Sequence, residues 1–171
     1  MTPRIENINE KKLIGKRLNM SFANDKTADL WKAFMPVRHS IKNHVGTDLY
    51  SLQVYAPGFF NPFDPAADFV KWAAIGVSDF NIVPDEMEPF TLPAGLYAVF
   101  LYKGEGGRAA TKIFQYIFET WLPNSGYVLD NRPHFELLGA KFQNAHPDSE
   151  EEIWIPVIME AFMDEHGNKK E

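Results

Sequence analysis

The feature that most constrains this chain is an order of elements that occurs twice. Residues 13–22 read LIGKRLNMSF, in which Leu18, Met20 and Phe22 alternate with Arg17, Asn19 and Ser21, the period of a half-buried strand. Asp25 or Thr27 can cap a helix through Ala28, Leu30, Trp31, Phe34 and Met35, which Pro36, lacking an N–H, ends or kinks. Extended runs follow at 49–55 (LYSLQVY) and 69–77 (FVKWAAIGV). The order then begins again, with an apolar strand at 96–102 after Pro93-Ala94-Gly95 and a turn at 104–107. Residues 108–122 are the clearest helix, with Ala110, Ile113, Phe114, Ile117, Trp121 and Leu122 at helical spacing and Lys112, Gln115 and Glu119 on the other side. Pro123-Asn124-Ser125-Gly126 stops it, and strands are predicted at 135–142 and 152–159, where Pro156 points to an edge or bulge position. The spacing from Pro36 to Tyr50 matches that from Pro123 to Glu136 to within one residue, and Ile75-Gly76-Val77 can be laid on Ile155-Pro156-Val157.

This order predicts an α+β fold: two pseudo-symmetric β-α-β-β modules, at 13–78 and 92–158, whose antiparallel sheets form a central ligand groove. Together they make one domain over 13–160, with an N-terminal extension at 1–12 and a polar tail at 161–171 whose last residues are expected to fray. The segment 78–89, with Asp79, Asp85, Glu86 and Glu88 among prolines, reads as the connector. With 45% apolar residues the 171-residue chain can fill a core. No apolar run approaches the roughly 20 residues of a membrane helix, and the opening MTPRIENINEKK lacks a signal-peptide core, so a cytoplasmic protein is expected. A formal charge of −6 disfavours a general nucleic-acid binder, which needs Lys and Arg to displace counterions. The absence of cysteine excludes disulfides, thiolate metal sites and Cys nucleophiles.

No serine-hydrolase elbow, zinc-protease helix or P-loop is present. Gly104-Glu105-Gly106-Gly107 precedes a helix, but no Lys-Ser or Lys-Thr follows it, and a strand-to-helix turn is the expected reading. His39, His44, His134, His146 and His166 are scattered, so neither a metal nor a cofactor is expected. The aromatic content says more. Fourteen Phe, six Tyr and four Trp are a heavy load for a core of this size, and Phe59, Phe60 and Phe63 lie in a predicted loop, where they either fold onto an ordinary core or line a ligand pocket. Aromatic walls suit a flat or cationic ligand. Glu136 lies inside the apolar run FELL, on the face of Leu138 and Ala140 rather than Leu137. Such a carboxylate either reaches water on a solvated outer face or sits in a polar pocket, where it can pair with a ligand cation or act as a general base.

At these residues the chain resembles the GyrI-like family, the effector-binding domain of bacterial transcription activators and their stand-alone relatives. The resemblance rests on Pro93-Ala94-Gly95-Leu96-Tyr97-Ala98-Val99-Phe100 with Lys103-Gly104, and on the helix ending Thr120-Trp121-Leu122-Pro123-Asn124-Ser125-Gly126-Tyr127. It rests also on Phe135-Glu136-Leu137, on Glu152-Ile153-Trp154-Ile155-Pro156-Val157, and on Ile75-Gly76-Val77 before Val83-Pro84-Asp85-Glu86-Met87. It covers about residues 13–158. The resemblance implies a central groove for small, often cationic, aromatic compounds, with Glu136 at its centre and Tyr50 as the facing residue in the first half. Only a dozen residues precede the first predicted strand, so the helix-turn-helix of the regulators is not expected, nor is direct DNA binding.

The expected function is therefore a cytoplasmic, stand-alone binding protein that senses or sequesters a hydrophobic, cationic aromatic small molecule. Glu136 would supply the charge, with Tyr50, Trp72, Tyr102, Trp121 and Trp154 as walls. Two rivals stay open by resemblance: a hydrolase of strained, cyclopropane-containing molecules using Glu136 as general base beside Tyr50, and an inhibitor that binds a protein partner such as gyrase, with the acids at 148–152 mimicking nucleic acid.

Overall fold

The computed structural model describes residues 1–105 and 108–171. Of the turn expected at 104–107, Gly106 and Gly107 lie outside the described residues. The strands are β1 (Arg4–Ile8), β2 (Lys11–Met20), β3 (His44–Val54), β4 (Phe69–Val77), β5 (Glu88–Leu92), β6 (Gly95–Lys103), β7 (Tyr127–Leu129), β8 (His134–Leu138) and β9 (Glu150–Met159). Helix α1 spans Thr27–Phe34, and α2 spans Arg108–Gln115 and runs on through a wide π turn at Tyr116–Trp121 into α3 (Leu122–Asn124). Every strand pairing is antiparallel, in the order β1-β6-β9-β8-β3-β4-β2-β5, with β7 beside β9.

That order reads the same from either end when the halves are exchanged: β6-α2-β8-β9 on one side of the β8–β3 pair, β2-α1-β3-β4 on the other. The two β-α-β-β modules are thus present, with three strands that the sequence did not predict: β1, β5 and the short β7 beside β9. Strand β1 (RIENI) pairs with β6 of the second half, and β5 (EPFTL) pairs with β2 of the first. The expected extension 1–12 therefore holds a strand of the sheet, and the expected connector 78–89 already contains the start of another. The tail is also ordered: Asp164 accepts the backbone N–H groups of His166 and Asn168, and the Lys169 ammonium lies 2.9 Å from Asp130. Expected fraying gives way to a small polar knot tied to the loop before β8.

Pro156 does not lie on an edge, since β9 is flanked on both sides. On one side Tyr97 of β6 is its partner. On the other, β8 stops at Trp154 and β7 begins at Val157, and the Pro156 carbonyl accepts the Asp130 N–H at 3.0 Å. A residue's N–H and C=O point to the same side of a strand, so the missing donor falls in the gap between β8 and β7, where no ladder bond is lost.

The two faces of the sheet bury their side chains differently. Helix α1 covers β2 and β4 through Leu30, Phe34, Ile14, Ala73 and Val77, while α2 covers β6 and β9 through Ile113, Ile117, Ala98, Phe100, Ile153 and Ile155. Among the described residues no helix packs on the other face, yet Leu13, Leu52, Trp72, Tyr97, Val99, Phe135 and Trp154 make one buried cluster there. Residues from both ends of the sheet can share a cluster only if the sheet curls onto itself, which buries the apolar area without a covering layer. On the helical face the middle strands β3 and β8 are left between the two helices, and this groove holds the polar residues considered next.

Candidate functional site

Register fixes which residues line the groove. Glu136 pairs with Ser51 on one side and Ile153 on the other, and Ile153 belongs to the α2 core, so Glu136 points to the helical face. Gln53, two residues beyond Ser51, pairs with both His134 and Lys71. The floor between the helices is thus Ser51, Gln53, His134, Glu136 and Lys71, a polar strip in an otherwise apolar sheet. Lys71 is only 5% exposed. The Gln53 amide donates to Glu136 Oε2 at 2.8 Å, and the Lys71 ammonium lies 3.9 Å from the same oxygen. An ammonium and a carboxylate taken out of water lose several kcal/mol of hydration each, which their mutual attraction only partly offsets. The cluster is a poor way to stabilise a sheet and a good way to hold charge ready.

A second carboxylate flanks it. Glu151 pairs with Tyr102 on the α2 side. Burial, with the Glu136 charge adding and Lys71 opposing, pushes the Glu151 carboxyl up to about 7. The folded chain therefore holds this proton to higher pH than the unfolded chain, and stability is expected to fall as pH rises from about 4.5 to about 7. Discounted for partial exposure, the loss is about 1–2 kcal/mol. Urea denaturation at pH 5 and pH 7.5 measures it, and Glu151→Gln is expected to flatten the difference.

The end of the groove at Gln53 is capped by aromatic rings. The Tyr55 ring meets the His134 imidazole edge-on at 4.9 Å, Phe60 lies 5.8 Å from His134, and Phe118 stacks on Phe60 at 5.8 Å and 25°. Phe60 belongs to the loop 55–68, and Phe118 to the π turn that follows α2. The extra residue of a π turn shifts the phase of the helix face, so Ile117 stays in the α2 core while Phe118 reaches the loop. Burial, with Arg132 nearby, holds the His134 imidazole down at about 3, so it is a neutral ring of this cap at physiological pH. The cap continues to the surface through Phe59, Phe63 and Phe22, the last two about half exposed. The loop phenylalanines do cover something, namely one end of the polar strip.

The residues expected at the site separate into three groups. Glu136 is on the groove floor. Tyr102 lies on β6, two strands beyond Glu136, paired with Glu151 and buried in the α2 core. Trp121 packs edge-on against Phe100 at 5.1 Å within the α2 core. Tyr50, Trp72 and Trp154 lie on the other face. Tyr50 pairs with Leu137, one residue out of phase with Glu136, and its ring lies 5.7 Å from Phe135. The indoles of Trp72 and Trp154 are buried in the curled face, each with an arginine over its ring, Arg17 at 5.8 Å and Arg4 at 5.5 Å. These three are corrected from groove walls to the opposite face, because successive residues of a strand face opposite ways; Trp72 and Trp154 are buried in its core and Tyr50 packs partly buried against it. The residues that sequence reasoning missed are Lys71, Gln53, Ser51 and Glu151.

Open space lies along the groove from Glu136. A cavity of about 510 Å3 is floored by Leu49, two residues before Ser51 on the same face of β3, and by its β4 partner Ile75. Another, of about 440 Å3, lies between Lys16, Pro36 and the 84–87 turn and does not reach Glu136. Among the described residues no group of three or more His, Asp or Glu is placed to hold a metal, and no helix is long and apolar enough to cross a membrane.

A curled antiparallel sheet with two helices on one face, and a polar strip between them, is the architecture of a small-molecule-binding domain. The chain belongs to the GyrI-like small molecule binding domain family, whose profile matches residues 1–158. The transcriptional regulator BrlR of Pseudomonas aeruginosa is 27% identical over 146 residues, which is 85% of this chain and 51% of the regulator, so the chain spans about half the length of that relative. Two solved structures share the fold. The EcmrR C-terminal domain superposes with a TM-score of 0.66 at 17% identity, covering 92% of this chain and 98% of that one. SAV2435 bound to tetraphenylphosphonium gives 0.65 at 16% identity, covering 92% and 94%.

Proposed function

We propose that this protein binds hydrophobic, cationic aromatic molecules in the groove between α1 and α2, with Glu136 as the anionic anchor, and that it senses or sequesters them in the cytoplasm. The observation that carries this reading is the largely buried polar strip of Glu136, Gln53, Lys71 and Glu151 on the helical face, centred on β3 and β8 between the two helices. A strip that serves only the fold would cost less as apolar residues. The aromatic cap of Tyr55, Phe60 and Phe118 supplies ring faces for a cation once the loop 55–68 moves aside. The related fold that holds tetraphenylphosphonium supports the same ligand class.

Calorimetric titration with tetraphenylphosphonium and with neutral triphenylphosphine oxide tests this. Glu136→Gln keeps the side-chain shape and the contact with Gln53. It is expected to weaken the cation about tenfold, ~1.4 kcal/mol, and to leave the neutral compound within about twofold. Equal losses for both compounds, in a variant whose circular dichroism matches the parent, would show that the carboxylate contributes shape alone.

A further inference from the structure

We infer that the open end of the groove is a separate, anion-accepting subsite that takes a carboxylate, sulfonate or phosphate carried on an apolar body. The cavity of about 510 Å3 is ringed by Arg38, His39, Lys42 and His44, with Leu49 and Ile75 beneath, and no Asp or Glu lines it. In a chain of formal charge −6 that is a local reversal of sign. Among the described residues none of the four side chains has a carboxylate within 4.0 Å, so the charges of Arg38 and Lys42 are not already matched.

The backbone explains why the space exists. The pairing of β3 with β4 breaks between His44 and Leu49, and Gly46 takes a φ of +69° there, which lifts the strand away and opens the wall. His44 Nδ1 lies 3.1 Å from the Gly46 carbonyl. Donation along that contact leaves Nε2 of the neutral ring as an acceptor, so the donors to an anion are Arg38 and Lys42. The Arg38 guanidinium is fixed by one nitrogen on the Met35 carbonyl at 2.5 Å. Its remaining N–H groups give a planar donor set suited to a carboxylate or phosphate. An acidic head at this mouth would lay its apolar body along Leu49 and Ile75 toward Ser51.

This deepens the reading of the groove as a ligand site and rests on it only for the shared floor; its charge preference is opposite and its residues are different. The probes are 1-naphthalenesulfonate and the neutral 1-naphthalenemethanol, titrated by calorimetry at low salt into the parent chain, into Arg38→Gln with Lys42→Gln, and into Glu136→Gln. The sulfonate is expected to bind the parent at one site and at least tenfold tighter than the alcohol. The double variant should lose at least tenfold for the sulfonate and little for the alcohol, while Glu136→Gln should not weaken the sulfonate. Absence of sulfonate binding to the parent, equal affinity for the two probes, or an unchanged double variant overturns the proposal. Loss of the sulfonate in the double variant alongside unaltered tetraphenylphosphonium binding in Glu136→Gln would sustain this subsite and refute the cationic one.

Discussion

Lys71→Met is expected to tighten tetraphenylphosphonium binding by about tenfold or more. The Lys71 ammonium stands 3.9 Å from Glu136 Oε2 with its side chain 7% exposed, so it occupies the charge position a ligand cation would need. Two like charges about 4 Å apart at an effective dielectric of about 20 repel by ~4 kcal/mol before relaxation. The incoming ligand must displace that ammonium, share the carboxylate with it, or draw on Glu151 by ionising it. Methionine keeps the length and apolar stem of lysine and removes the charge. Gln53 remains to hold the carboxylate, so the geometry at Glu136 has a second support. Replacing one member of a buried pair leaves the other less well matched; here Glu136 keeps 17% side-chain exposure, which limits the loss of stability. Calorimetry on parent and variant gives the answer directly. Weaker binding in Lys71→Met would mean that lysine orients the carboxylate for the ligand rather than competing with it.

The same lysine shows what was legible in the sequence. Glu136 stands out because a charge inside an apolar strand needs a reason, and FVKWAAIGV carries the same signal at Lys71. Opposite charges placed singly in two apolar strands call for each other, and the intervening strand β3 supplies the polar Ser51 and Gln53 between them. The walls were less legible because residue type does not encode face. Tyr50 and Ser51 are neighbours in sequence, and a one-residue change of register would exchange them between the groove and the curled core. Only the pairing of Ser51 with Glu136 decides it. Strands β1 and β5 escape sequence reasoning for another reason. RIENI and EPFTL are short and mixed in polarity, and each is held by a partner in the other half, so no local pattern announces them. The doubled order of elements was legible because each half repeats the same strand periods and proline stops, and the antiparallel order preserves it.

Gly15→Ala is expected to destabilise the fold severely, by about 3 kcal/mol or more, a large share of the 5–15 kcal/mol typical of a domain. Gly15 is the middle of β2, the strand that joins β4 to β5, and it pairs with Ala74 on one side and Glu88 on the other. A Cβ there would lie 2.0 Å from the Ala73 carbonyl oxygen and 2.7 Å from Ala74 Cα. Both are backbone atoms, so no side chain can turn away to make room, and the strands must part at that pair. Glycine inside a strand marks such a close approach of two backbones. The damage would not stay local, because Lys71 and Trp72 lie on β4 just beyond Ala73, one facing the groove and the other the curled core. Thermal denaturation followed by circular dichroism is expected to show a Tm lower by about 10 °C, scaling ~3 kcal/mol by the usual dependence for a chain of this size. Tetraphenylphosphonium affinity should fall with it, because the part of the groove floor carried by β4 is displaced from β3. A Tm within about 2 °C of the parent would show that β2 and β4 have room to spare at Gly15, and that the groove does not depend on their close contact.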